Sequence, residues 1–186
     1  MRPSYDSAMP TAPAGLILTP GASADRDHST LVALDDGLPE MEVVRLTLGT
    51  TSVKRAAAMV VQEADNLAAR LGVPSGQVAL GGRSFGGRST SVAHAEGLVV
   101  HSLVLLSYPL HPPGKPEKLR TDHFGAITAP CLFVSGERDP FGTPDEFATH
   151  LPGISAPVTT EWVTGAHAPK DNDEIVRLVR AWFQLD

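Results

Sequence analysis

Ser84, Asp139 and His167 are the residues whose types and order could do chemistry. Ser84 stands in "GGRSFGGR" (81–88), after the apolar run "QVAL" and before "STSVAHAEGL". Gly82-Arg83-Ser84-Phe85-Gly86 fits G-x-S-x-G. Between a strand and a helix, small neighbours admit a strained turn that leaves the serine oxygen clear. A helix starting near Phe85 would aim its unpaired N–H groups and positive dipole end at the same space. A serine of ordinary pKa is a poor nucleophile; it needs a base, and the base needs an orienting carboxylate. Asp139 in "SGERDPFG" and His167 in "TGAHAPK" follow in the order serine, acid, histidine, 55 and then 28 residues apart. Both stand in glycine-containing turns after apolar runs, where that chemistry requires them.

Each residue also has a plainer reading. His167 is one of seven histidines and fits a solvated turn. Asp139 precedes a proline and fits a turn start. Their joint appearance in the required order favours the triad. Asp145 and Glu137 are weaker candidates for the acid, the first because it falls in the following helix. An oxyanion hole would join the N–H of Phe85 to one from "TPGASADRDH". There Gly21 allows a tight turn and Ala22 offers the donor, although an ordinary strand–helix turn accounts for Ala22 nearly as well. Arg83 and Arg88 flank the serine and are expected to pair with Asp or Glu. His28 and His111 fall in loops, at the surface or beside a pocket. His101, Glu137 and His167 lack a recognisable metal-ligand spacing, and neither glycine-rich nucleotide-binding pattern fits.

These residues need a frame to converge. Six apolar runs of strand length occur at 15–21, 42–49, 77–82, 101–109, 131–137 and 158–165. Between them lie helical patterns, clearest over 52–71, where Val53, Ala57, Val60, Ala64, Leu67 and Leu71 make one stripe. Gly72 and Pro74 end it. A second amphipathic segment covers 173–184, and shorter helices are expected at 29–38, 85–96 and 143–151. Alternation of this kind predicts a three-layer, doubly wound, mostly parallel sheet, with ligands outside the carboxyl ends of its strands. The Pro- and Gly-rich connection 107–130 is too long to be idle and is expected to shape the pocket.

The 186 residues favour one domain over 15–186, preceded by a loose leader over 1–14. A net charge of −6 argues against a nucleic-acid partner. No segment reads as a membrane span or signal peptide. The single cysteine, Cys131, is expected in the core and suits a reducing cytoplasm. No metal or organic cofactor is called for, and oligomeric state is left open.

At "TPGASADRDH", "GGRSFGGR", "SYPLHPPGKPEKLRTDHF" and "CLFVSGERDPFG" the chain resembles a small α/β-hydrolase of the dienelactone-hydrolase-like group. That group includes bacterial homologues of testis-expressed protein 30 and of the hydrolase-like subunit of the non-specific-lethal chromatin complex. The resemblance covers nearly everything after residue 15. It implies Ser84 as nucleophile, Asp139 as acid and His167 as base, acting on a small ester, thioester or related acyl substrate. Pro20-Gly21 replaces the usual His-Gly of the oxyanion loop, the first two strands of larger relatives are missing, and no cap domain is inserted. The Pro20 departure keeps a second expectation open: a catalytically silent binding or scaffold protein with a hydrolase shell.

Overall fold

In the computed structural model, which describes residues 10–185, six parallel strands form one sheet in the order β2-β1-β3-β4-β5-β6. The strands are β1 (Gly15–Thr19), β2 (Glu42–Arg45), β3 (Val78–Arg83), β4 (Leu103–Leu106), β5 (Cys131–Gly136) and β6 (Val158–Val163). Five helices connect them: α1 (Ser29–Asp36), α2 (Val53–Leu71), α3 (Phe85–Ala95), α4 (Pro144–His150) and α5 (Asn172–Trp182). Every expected strand and helix is present, with ends moved by a few residues. Residues 1–9 of the expected leader lie outside the described residues. Pro13 and Ala14 of the same segment are held, Pro13 by burial and Ala14 by donating its N–H to the Gln77 carbonyl at 2.9 Å.

Alternation along the strands explains the layers. Ile17, Leu80 and Phe133 face a core completed by Ala57, Val60, Ala64 and Leu67 of α2. Leu16, Leu18 and Val104 face the other way, onto Leu31 and Leu34 of α1 and Ile175 and Val179 of α5. A sheet covered on both faces must be apolar on both faces, which is why the inner strands read as unbroken apolar runs. Helix α2 begins at Ser52, whose hydroxyl accepts from the Arg55 N–H, and ends at Gly72 with φ 69°. Helix α4 is held by a Thr143–Glu146 capping box with Pro144 in its first turn.

The chain runs outward from β1 to β2 and returns to β3, so the direction of winding reverses between β1 and β3. Ligands of open parallel sheets sit at such a reversal, beyond the carboxyl ends of the strands. β6 closes the opposite side as an edge strand, bonded only to β5.

Candidate active site

Ser84 follows β3 directly and takes φ 52°, ψ −115°, a conformation that strains any residue with a Cβ. Its N–H donates to the Leu106 carbonyl at 2.8 Å, fixing the turn to β4. It occupies the N-cap of α3, yet its side chain caps no helical N–H. The hydroxyl is therefore available to another partner. The turn closes only because its neighbours are glycines. A Cβ on Gly82 would lie 2.6 Å from the Gly86 backbone, and one on Gly86 would lie 2.5 Å from the Thr19 carbonyl oxygen.

That other partner is His167, whose Nε2 lies 2.8 Å from Ser84 Oγ. The far side of the ring faces Asp139, with Nδ1 3.0 Å from Oδ1 and 2.8 Å from Oδ2. This arrangement puts the proton on Nδ1 and leaves the Nε2 lone pair towards the serine. The Asp139 side chain is only 1% exposed and that of His167 20%. Asp139 Oδ1 also accepts from the Phe141 N–H at 2.9 Å. The two loops are tied where they leave the sheet: Glu137 N–H donates to the Val163 carbonyl (3.0 Å) and Arg138 N–H to that of Gly165 (2.9 Å). The structure thus brings all three residues onto one rim. Of the weaker acids, Asp145 lies in α4 and Glu137 is exposed, and neither contacts His167.

Ala22 and Phe85 line the same cavity as Ser84 and His167. The Ala22 N–H, in the loop after β1, makes no backbone hydrogen bond among the described residues, and Phe85 is the first residue of α3, where the helix offers its N–H no acceptor. Ser23, at φ 62°, takes the left-handed position of the β1–α1 turn, and Gly21 does not. Gly21 instead leaves room for the Arg83 guanidinium, since a Cβ there would lie 3.2 Å from Arg83 Nη1.

Several expectations need correcting. Arg83 and Arg88 pair with no carboxylate among the described residues. Arg83 donates from Nη2 to the backbone carbonyl of His167 at 2.7 Å, gripping the loop that carries the imidazole. Burial lowers its pKa, and the nearby Asp139 charge opposes that shift. Arg88 Nε is buried without a partner among the described residues. His111 is neither at the surface nor in the pocket; it is buried, with Nε2 3.1 Å from Glu146 Oε1. His28 caps α1 through Nδ1, 3.3 Å from the Thr30 N–H. The 107–130 connection contributes only Pro109 and Arg120 to the cavity lining, and Thr51 and Val53 at the start of α2 supply another wall.

Two contributors escape sequence reading. Phe141 stacks on the His167 ring with centroids 3.9 Å apart. Arg120 reaches the cavity from the long connection, which Tyr108 anchors by donating its hydroxyl to the Arg120 carbonyl at 3.1 Å. Position alone was the available signal: Phe141 is two residues beyond Asp139. Among the described residues no three His, Cys, Asp or Glu side chains are placed to share a metal ion, and no helix is long and apolar enough to cross a membrane.

A family model described as an alpha/beta hydrolase domain matches residues 12–171. Solved structures agree in architecture. A dienelactone hydrolase from Anabaena variabilis is 18% identical, with a TM-score of 0.75 over 95% of this chain and 88% of its own. The esterase Est1E from Butyrivibrio proteoclasticus is 17% identical, at 0.74 over 94% and 88%. A thermophilic esterase from Thermogutta terrifontis is also 17% identical, at 0.74 over 94% and 91%. Identity this low shows likeness of fold and leaves chemistry to the site.

Proposed function

Since the chain belongs to the alpha/beta hydrolase domain family, we propose that it is a serine hydrolase cleaving a small ester, thioester or related acyl bond. The observation that carries this reading is the unbroken hydrogen-bonded series from Ser84 Oγ through His167 to Asp139, with 2.8 Å at each end. His167 Nε2 takes the hydroxyl proton as Ser84 Oγ attacks the acyl carbon. Asp139 holds the ring in the tautomer that can do so and stabilises the imidazolium. The N–H groups of Phe85 and Ala22 receive the oxyanion. Collapse of the tetrahedral intermediate releases the alcohol or thiol, which takes the proton from His167. Water then attacks the acyl-enzyme with His167 again as base, and the acid leaves.

The "YPLHPPGKPE" loop supports a place beside the group related to testis-expressed protein 30, and the lone core thiol suits a reducing cytoplasm. The experiment is labelling with a neutral fluorophosphonate. Wild-type protein is expected to be labelled and Ser84→Ala to be silent, with turnover of a chromogenic ester lower by roughly four to six orders of magnitude. A hydrolase shell without chemistry would leave both proteins unlabelled, and that outcome overturns the proposal.

A further inference from the structure

The chain carries a net charge of −6, yet the cavity beside Ser84, about 470 Å³, is lined by Arg83, Arg88 and Arg120 and by no Asp or Glu. The three arginines are not equivalent. Arg83 is committed to the His167 carbonyl. The guanidinium groups of Arg88 and Arg120 make no hydrogen bond or ion pair among the described residues, and Arg88 Nε is buried with no acceptor at all. A buried donor without a partner costs free energy that native structures rarely leave unspent. Two unpaired cations lining one cavity cost more, because each also repels the other. The mutual proximity is visible at Arg120, whose pKa is lowered first by burial and next by the Arg88 charge. Arg120 reaches the cavity because the Tyr108 hydroxyl holds its carbonyl, and Arg88 because it sits one turn into α3 from Ser84.

Resting on the hydrolase reading above, we infer that Arg88 and Arg120 form a subsite for an oxyanion, a carboxylate or a phosphate, carried by the acyl substrate of Ser84. A guanidinium presents a planar fork of donors that suits either group. Such an anion would accept from the guanidinium ends of Arg88 and Arg120 that line the cavity and offset the repulsion between the two cations. It would also fix the acyl carbon against Ser84, since both arginines and the serine line one space. The consequence is a preference for esters of dicarboxylic or phosphorylated acids over neutral esters of equal length.

The test compares a 4-nitrophenyl ester of glutaric acid, its other carboxyl free, with the same ester of the neutral half-amide, and with an ester bearing a phosphate at that end. Wild-type kcat/KM is expected to be roughly 10- to 100-fold higher for a charged ester than for the half-amide. Which charged ester is faster assigns carboxylate or phosphate. Arg88→Gln and Arg120→Gln are expected to lose far more on the charged esters than on the half-amide, while Arg88→Lys keeps part of the preference. Fluorophosphonate labelling of each variant reports that the serine site has folded. Glutarate and inorganic phosphate, titrated calorimetrically into Ser84→Ala, read the subsite without any turnover. Equal rates on charged and neutral esters in a protein that labels normally would overturn the subsite and leave the hydrolase standing. Absence of labelling, with glutarate or phosphate still bound by Ser84→Ala and lost in Arg88→Gln, would do the reverse.

Discussion

The ring of Phe141 lies on the imidazole of His167, with centroids 3.9 Å apart and planes inclined by 27°. The same residue donates its N–H to Asp139 Oδ1 at 2.9 Å. One residue therefore orients both the carboxylate and the ring that the carboxylate steers. Phe141→Ala is expected to lower kcat by roughly 10- to 100-fold, the scale of an ångström's misplacement. The backbone N–H survives the substitution, so the Asp139 contact remains. Steady-state kinetics with kcat and KM separated would check it; a change confined to KM would count against a positioning role.

Asp139→Asn preserves shape and removes the charge facing His167 Nδ1. A wrong ring tautomer then costs about 10⁴ in kcat if the serine-hydrolase reading holds. The comparison to make is the turnover of a chromogenic ester by the variant and by wild type, with thermal melts alongside to confirm folding.

Gly86→Ala is expected to destabilise the protein by about 1–3 kcal/mol, the usual cost of forcing an atom into a packed site. The Thr19 carbonyl oxygen, 2.5 Å from the added Cβ, belongs to the strand beside the serine turn and has little room to retreat. Denaturant unfolding measures the loss, and the reaction rate should fall with it because Thr19 leads into the Ala22 turn.

Stability should weaken on acidification through His123. Its pKa is lowered from 6.5 to about 4, first by burial and next by the Arg88 charge, against a smaller opposing effect of Asp122. The ring lies 2.8 Å from Ser91 Oγ and 3.4 Å from the Tyr108 hydroxyl, neither of which compensates a positive charge. The unfolded chain takes a proton near pH 6.5 and the folded chain only near pH 4. The stability in question is therefore complete above 6.5 and is lost as pH falls towards about 4. Unfolding midpoints across that window, compared with His123→Gln, test the claim. Arg88→Gln removes the second cause and should move the imidazole titration upward in NMR.

Cys131 should be inert to alkylation in the folded protein. Burial raises its thiol pKa to about 12, and Sγ donates to the Ala129 carbonyl at 3.3 Å. Iodoacetamide at pH 8 is expected to modify it only after denaturant is added, as mass spectrometry would show.

The layered fold was legible because its elements announce themselves locally. The stripe Ala57, Val60, Ala64 and Leu67 can bury only as a helix, and the apolar runs around Leu80 and Phe133 only as covered strands. The meeting of Ser84, Asp139 and His167 was legible for a related reason: in a parallel sheet every strand delivers its following loop to the same rim. Arg83 was misread because its target is a main-chain carbonyl, a group that every residue owns and that no sequence pattern marks. Arg120 was missed because a Pro- and Gly-rich connection has no periodicity to say which side chain turns inward. The long connection was expected to wall the pocket, but Thr51 and Val53 share that task because the start of α2 rises beside it.

His167 follows β6, one of the two edge strands of the sheet, bonded only to β5. Local openings of a fold occur at free energies below that of complete unfolding, and an element held on one side only has fewer bonds to break. A brief peeling of β6 would separate atoms that lie 83 positions apart along the chain while the central sheet stays whole. If the serine-hydrolase reading holds, turnover on gentle heating should therefore fade some degrees before far-ultraviolet circular dichroism changes, and return on cooling, so that the site has a reversible thermal ceiling lower than the melting point of the fold.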